Sequence, residues 1–271
     1  MLEMLALPFV QRALGATLLG APLLGALSPL VVARRMAFFS AVVAQAALTG
    51  VSLGVLLGEP LDSPYAGVFG ACTSVAVVLT YLRRRARVSP DALMGVMLAG
   101  TLALSVCLLV LVTQRFNIHQ LESAMFGSVL TVMPKDLVFL GATALLGAVL
   151  LGRHMNALFA ASVDGAAAKA RGVPTALLDY GFGLGLALAV VVTVKLFGAL
   201  LVEAMVVVPA VAARQWARSA KATLVWSTAL ATFAGVLGVL LSAAVNVPPG
   251  AAAVLALCAV FAASHLGPAG R

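Results

Sequence analysis

Long runs of apolar residues without a charged side chain dominate the sequence. They cover residues 13–33, 36–58, 63–82, 92–114, 137–152, 180–194 and 196–213, the last interrupted only by Glu203. A further stretch over 222–270 is divided by the turn sequence NVPPG at 246–250, because two prolines and a glycine end a helix. Continuous apolar runs near the bilayer-spanning length of about 20 residues exclude a barrel of alternating strands.

The nine apolar runs predict an all-α fold, a polytopic membrane helix bundle with eight or nine transmembrane helices. The count of eight stays open because the runs 180–194 and 196–213 are short and adjacent. Together they form either two spans or one span plus a broken one. The whole chain, 1–271, is predicted to be a single transmembrane domain.

The composition supports a membrane protein and excludes several other classes. The chain is 63% hydrophobic and 10% charged, whereas a soluble domain is about 45–50% apolar and about 25% charged. An ordinary soluble enzyme, a disordered chain and a disulfide-rich module are therefore excluded. The three cysteines are scattered through apolar runs without metal-ligand spacing and are interpreted as small core residues.

The distribution of Lys and Arg predicts the orientation in the membrane. Net charge is +8. With nine crossings, 13 of the 17 basic residues fall in loops on one face, and the other face holds Arg12, Arg115, Lys135 and Lys195. The positive-inside rule makes the basic face cytoplasmic. We therefore expect an outer N-terminus, a cytoplasmic C-terminus, contact with lipid and no nucleic-acid partner.

The second run carries polar residues at helical spacing. Its polar face is formed by Ala41, Gln45, Thr49 and Ser52, and a ridge of small residues by Gly50, Gly54 and Gly58. Such a ridge permits close helix packing. The polar face either borders a water-filled path or supplies hydrogen bonds between helices, and these residues alone do not decide between the two.

Glu203 lies among apolar residues inside a predicted span. A charged group near the bilayer centre costs about 2.5–3.5 kcal/mol on insertion scales, so it is expected to be paired, protonated or hydrated. Lys195 precedes it by eight residues and is a candidate partner if the chain bends at Gly198. Glu203 therefore belongs either to a transport path or to a structural ion pair.

Two loops are long enough to have a function. Residues 115–136 contain an apolar stretch that is too short to span and predicts an interfacial or half-inserted helix. Residues 153–173 are rich in alanine and end before Pro174, which predicts a short cytoplasmic helix over 155–171 or a solvated connector. No G-x-x-x-x-G-K-[ST] phosphate loop is present in the sequence, so energy for transport comes from ion coupling or from a separate subunit.

Four segments in order resemble the membrane permease family of zinc, manganese and iron ABC importers. They are PFVQRALGATLLGAPLLGALSPLVVARRMAFFS, MFGSVLTVMPKDL, ASVDGAAAKARGVPTALLD and KLFGALLVEAMVVVPAVAAR. The last is the most specific, because it is similar to the family signature G-x-L-L-V…P-A-x-x-A-R. The resemblance covers nearly the whole chain.

The resemblance implies a permease of the plasma (inner) membrane rather than an enzyme. The family works as a permease homodimer above two cytoplasmic ATPase subunits and receives its cargo from an external substrate-binding protein. ATP is then held by the partner subunit, and this chain is expected to bind no cofactor. By the same resemblance, the helix near 155–171 couples to the ATPase through Asp164, Ala166, Ala167, Lys169, Arg171 and Gly172.

The sequence departs from the family at its expected metal contacts. The family usually has Asp and His where this chain has Ala41 and Gln45, and Gly-Asp where it has Gly127-Ser128. The metal ligands are therefore unknown, with Glu203 as a possible substitute. Four interpretations stay open: zinc or manganese passes without those ligands, the cargo differs, a second permease completes the site, or the chain is an ion-coupled secondary carrier that uses Lys195 and Glu203.

Overall fold

The protein is all-helical in the residues that its computed structural model describes, which are 8–59, 65–85, 88–113, 134–245 and 247–266. In chain order the helices are α1 (Pro8–Ala33), α2 (Phe39–Leu56), α3 (Tyr65–Arg85), α4 (Pro90–Thr113), α5 (Pro134–Val163), α6 (Gly165–Ala170), α7 (Thr175–Phe197), α8 (Ala199–Ala213), α9 (Ala220–Val245) and α10 (Pro249–Leu266). The half-inserted helix expected within 115–136 falls largely outside the described residues.

Each of the nine predicted apolar runs corresponds to a helix, which confirms the membrane helix bundle. In the described ranges, seven helices are long and apolar enough to cross a bilayer. The other two, α8 and the apolar part of α10, are shorter. At about 1.5 Å per residue, the 15 residues of α8 extend about 22 Å, less than a hydrocarbon core of about 30 Å.

Side-chain contacts show that successive helices alternate in direction. At one end of the bundle, Arg34 after α1 meets Asp179 at the start of α7, and Arg84 at the end of α3 meets the same carboxylate. At the opposite end, Lys195 near the end of α7 meets Asp136 at the start of α5. We call these the basic end and the opposite end. This placement of the helix ends agrees with the alternating topology that the distribution of basic residues predicts.

Helix α1 is the centre of the bundle and packs most extensively against α9, α8 and α5. It approaches α9 closely, since a Cβ on Gly25 would lie 2.7 Å from Ala231 Cβ. The Ser227 hydroxyl donates to the Gly25 carbonyl at 2.8 Å, which fixes the two backbones in this close contact. Helices α4 and α5 leave most of their apolar side chains exposed, as expected of lipid-facing helices.

Candidate functional site

The predicted polar face of α2 points into the bundle. Ala41, Thr49 and Ser52 are buried and Gln45 is half-buried. The Thr49 hydroxyl donates to the Gln45 carbonyl at 3.2 Å. The Gln45 side-chain oxygen Oε1 is buried and accepts no hydrogen bond from the described residues. A buried acceptor without a donor is costly, so this amide oxygen is available to a cation or a polar group that enters the bundle.

Two glycines of the predicted ridge allow α2 to touch α3 directly. A Cβ on Gly50 would lie 2.6 Å from the Gly67 carbonyl oxygen of α3, and a Cβ on Gly67 would lie 2.8 Å from Gly54 Cα. Gly58 does not belong to this contact. It follows the helix with φ +97° and forms the left-handed turn that ends α2. A Cβ at Gly58 would meet no atom within 4 Å.

Glu59 joins the end of α2 to the start of α3. Its backbone N–H donates to the Gly54 carbonyl at 2.9 Å, which completes a Schellman-type ending of α2. Its carboxylate accepts from the Gly67 N–H at 3.1 Å, in the first turn of α3. This contact satisfies a free donor at the helix N-terminus and places a negative charge where the helix dipole favours it.

The helical conformation is interrupted at Gly198, and this break separates α7 from α8. Gly198 has φ +79° and ψ 160°, and its N–H still donates to the Val194 carbonyl at 2.8 Å. Glu203 is the fifth residue of α8 and therefore lies about 6 Å along the helix from its start. The expectation of a site near mid-membrane is corrected, because the break makes Glu203 one turn from a helix N-terminus at the opposite end of the bundle.

Glu203 does not pair with Lys195, so the candidate ion pair between them is not formed. The Lys195 ammonium donates to Asp136 Oδ1 and to the Tyr65 hydroxyl, each at 2.9 Å, and it lies 4.9 Å from the Tyr65 ring centre. The partners of Lys195 come instead from α5 and α3. Glu203 is half-buried, and its carboxylate has no hydrogen bond or ion pair within the described part of the chain.

Glu203 belongs to the more accessible face of α8. The partly or fully exposed residues of this helix recur at spacings of three and four, and they are Ala199, Leu200, Glu203, Ala204, Val207, Val208 and Val211. The opposite face is buried against α1, α9 and α10. Helical periodicity thus assigns the carboxylate to a surface that the rest of this chain leaves partly uncovered.

Pro209 interrupts hydrogen bonding inside α8, and Ser28 of α1 compensates. The Ala210 N–H donates to the Ser28 hydroxyl oxygen at 3.2 Å, and that hydroxyl donates to the Val207 carbonyl at 3.4 Å. Ser28 is fully buried. A proline removes one backbone donor and strains the preceding turn, so this hydroxyl ties α8 to α1 at its weakest point.

A charge network at the basic end connects three helices. The Arg34 guanidinium donates to Asp179 Oδ1 at 2.8 Å and to the Leu158 carbonyl at 3.4 Å, and it lies 4.8 Å from the Phe182 ring centre. Burial lowers the pKa of Arg34, and Asp179 opposes that shift. Arg84 contacts the second oxygen of Asp179. Sequence analysis missed this network. The sequence feature that could have indicated this network is Asp179, a single carboxylate at the edge of the apolar run 180–194 in a strongly basic chain.

The expected coupling segment is helical but divided. Residues 155–163 continue the long helix α5, and Asp164 then starts the separate six-residue helix α6. The Asp164 carboxylate accepts from the N–H groups of Ala166 and Ala167, each at 2.9 Å. The expectation of one uninterrupted helix over 155–171 is corrected, because this aspartate is extended and caps a new helix.

The far end of α6 is fixed by glycine. Gly172 has φ +79°, its N–H donates to the Lys169 carbonyl, and the Val173 N–H donates to the Ala168 carbonyl at 3.1 Å. This pair of bonds is a Schellman ending. Ala168 is buried, whereas Ala166, Lys169 and Arg171 are exposed. The segment therefore presents one small, rigid, partly basic surface between α5 and α7.

Comparisons with known proteins agree with this architecture. A family model described as the ABC 3 transport family matches residues 6–267. The chain is 31% identical to the chelated iron transport system membrane protein YfeD of Yersinia pestis, over 89% of this chain and 79% of that protein. It is 25% identical to the high-affinity zinc uptake system membrane protein ZnuB of Haemophilus influenzae, over 85% of this chain and 86% of ZnuB.

The fold also matches solved structures. PsaBC from Streptococcus pneumoniae, in complex with Fab, superimposes with a TM-score of 0.83 at 25% identity, over 97% of this chain and 93% of the matched chain. An inward-facing structure of a metal-chelate type ABC transporter gives a TM-score of 0.71 at 19% identity, which supports the fold alone. Because the family model matches almost the entire chain, residues 6–267, the chain belongs to the ABC 3 transport family and is a multi-pass membrane permease rather than an enzyme.

Proposed function

We propose that this chain is the permease subunit of an ATP-driven importer of a divalent first-row transition metal, with manganese as the leading cargo. The observation that carries the proposal is the family match over residues 6–267, with relatives named for iron, zinc and manganese transport. Two copies of the chain would form the transporter, with ATP on separate cytoplasmic ATPase subunits and cargo delivered by an external binding protein.

The proposed path follows the polar face of α2 and the accessible face of α8. Ser52 lies four residues before the end of α2, about 6 Å along the axis, and Glu203 lies at a similar distance from the start of α8. Gln45 is deeper, about 16 Å from that end of α2. A cation would therefore meet the Glu203 carboxylate near the opposite end and the Gln45 amide oxygen further in.

The donor set on this path supports manganese over zinc. Glu203 and Gln45 offer oxygen atoms, and Ala41 offers none. Carboxylate and carbonyl oxygens suit Mn²⁺, whereas zinc prefers imidazole and thiolate. No cluster of three His, Cys, Asp or Glu side chains occurs in the ranges that the structure describes. Weak, sequential oxygen contacts are compatible with flux, because a transported ion must also leave each site.

Orientation and coupling complete the proposal. The basic end faces the cytoplasm, so the N-terminus is outside and the C-terminus is inside, as the positive-inside rule predicts. Helix α6 then lies on the cytoplasmic side and docks on an ATPase. The Arg34–Asp179 ion pair ties the start of α7, five residues beyond Pro174, to the end of α1. Movement of α6 on closure of the ATPase subunits would then be transmitted through this ion pair to α1.

Uptake by two single variants tests the path. In proteoliposomes with the ATPase and binding protein present, we expect Glu203→Gln to reduce manganese uptake more than Gln45→Ala. If the carboxylate contributes about 1.4 kcal/mol to cation binding, the apparent affinity falls about tenfold. Glu203→Asp, which keeps the charge, is the matched control and retains most of the uptake. Normal uptake by Glu203→Gln together with loss in Gln45→Ala would show that the assigned path is wrong.

Substitutions on α6 test coupling separately. Replacing Ala166 and Ala167 with Glu adds bulk and negative charge to the surface of this helix. We expect uptake to be lost and ATP hydrolysis to become independent of transport, while insertion into the membrane is unchanged. Unchanged uptake by this double variant would contradict the docking of α6.

A further inference from the structure

Both tryptophans of the chain meet at the basic end of the bundle. Trp216 follows α8 and Trp226 lies in the second turn of α9, and their ring centres are 5.7 Å apart at an angle of 60°. The two residues are 41% and 46% exposed. Aromatic pairs of this kind, apolar with one polar N–H edge, are typical of the boundary between membrane and water.

Three cations lie next to this aromatic pair in the sequence, between the end of α8 and the first turn of α9. Arg214, Arg218 and Lys221 are exposed, and their side chains make no ion pair or hydrogen bond within the described part of the chain. No Asp or Glu follows Glu203 in the sequence. The carboxylate of Asp179 is already shared by Arg34 and Arg84 at this same end. The loop therefore presents three exposed positive charges that an anionic group can approach.

An apolar stripe runs from these cations along α9. Lys221, Val225, Ala229 and Phe233 follow one another at four-residue intervals, and Trp226 lies beside them. Val225 and Phe233 are 65% and 57% exposed, and Ala229 is also exposed. From Lys221 to Phe233 the stripe extends about 18 Å, close to the roughly 15 Å thickness of one hydrocarbon leaflet.

We propose that Arg214, Arg218, Lys221 and the Trp216–Trp226 pair bind an anionic phospholipid, with its phosphate on the cations and an acyl chain along Val225, Ala229 and Phe233. Clustered Lys and Arg beside a membrane helix attract anionic headgroups. The apolar stripe that continues from the cations favours a lipid, because one lipid can place its phosphate on the cations and its acyl chain on the stripe, whereas a cytoplasmic protein reaches the cations alone. The proposal does not depend on the cargo.

Tryptophan fluorescence tests the site directly, since Trp216 and Trp226 are the chain's complete tryptophan content. The intact chain is reconstituted in bilayers of phosphatidylcholine with 20% phosphatidylglycerol, with the composition held constant. In one sample the phosphatidylglycerol carries brominated acyl chains, and in the other an equal amount of phosphatidylcholine does. We expect quenching to be at least twofold stronger when bromine is on phosphatidylglycerol.

Variants separate charge from folding. Arg214→Gln with Arg218→Gln and Lys221→Gln should reduce the quenching ratio to about one. The matched control, Arg85→Gln with Arg153→Gln and Arg171→Gln, removes three exposed cations elsewhere at the basic end and should keep the preference. Arg214→Lys with Arg218→Lys keeps the positive charge and should also keep the stronger quenching by brominated phosphatidylglycerol. Equal elution of all variants in size-exclusion chromatography confirms that they fold.

Each remaining outcome overturns the proposal. Equal quenching by the two labels in the wild-type chain means that the loop does not select an anionic headgroup. Weak quenching by both labels means that a second copy of this chain, rather than lipid, covers the tryptophans. Loss of the preference on adding inorganic phosphate means that the cations bind a free anion instead of a lipid.

Discussion

Replacing Asp179 with Asn tests whether the network at the basic end is a structural connection between helices. Arg34 has a side chain only 2% exposed, whereas Asp179 is 26% exposed. Removing one partner of a buried ion pair typically costs about 3–5 kcal/mol, because the other charge stays buried without compensation. Arg34 keeps the Leu158 carbonyl and the Phe182 ring, and Asp179 is partly solvated. We therefore expect the lower end of that range, about 3 kcal/mol.

The natural control is the second arginine on the same carboxylate. Arg84 has a side chain that is 35% exposed, and a surface ion pair contributes about 0–1 kcal/mol. Unfolding of purified Asp179→Asn and Arg84→Gln in mixed detergent micelles compares the two directly. Asp179→Asn should lower the free energy of unfolding far more than Arg84→Gln does.

A double replacement distinguishes an unpaired charge from a lost contact. Arg34→Met with Asp179→Leu removes both charges and keeps apolar volume, so it should recover most of the stability that Asp179→Asn loses. If Asp179→Asn costs no more than Arg84→Gln, or if the double variant is less stable than Asp179→Asn, the reasoning from burial fails.

Three further predictions address packing, capping and orientation. Gly67→Leu should prevent the α2–α3 contact at Gly50 and destabilise the purified permease by several kcal/mol, whereas Gly70→Leu, where a Cβ meets open space, should be tolerated in the same unfolding assay. Asp164→Ala should cost about 1 kcal/mol by removing the cap of α6 and should lower transport-coupled ATP hydrolysis, which Asp164→Asn should largely restore. In otherwise cysteine-free chains in intact cells, a membrane-impermeant thiol reagent should label a cysteine at position 135 but not one at position 85, and the reverse pattern would contradict the proposed orientation.

The helices were predictable because hydrophobic runs of bilayer length leave few alternatives. Prolines and glycines also located the break between α9 and α10. The division at Asp164 was harder, because alanine-rich sequence on both sides favours one continuous helix and only the extended conformation of a single aspartate separates two. The presence of an end-capping Gly172 and Pro174 was visible from sequence alone.

The site was only partly predictable. Helical spacing correctly placed Ala41, Thr49 and Ser52 on a buried polar face, because spacing depends on one helix alone. Pairing between helices was not predictable in this way. Lys195 is close to Glu203 in sequence, yet its partners are Asp136 and Tyr65. These residues lie 59 and 130 positions earlier in the sequence, on α5 and α3. The network of Arg34 and Asp179 was missed for the same reason, because it depends on how three helix ends converge.

The most direct test of the account is transport by the assembled system. Proteoliposomes should contain this chain with its ATPase inside and its binding protein outside, and uptake of radioactive manganese should be measured with and without ATP. We predict accumulation that requires ATP and all three components, and that Mn²⁺ is taken up in preference to Zn²⁺. Uptake driven by a proton gradient without the ATPase, or ATP hydrolysis without uptake of manganese, zinc or iron, would contradict the proposed function.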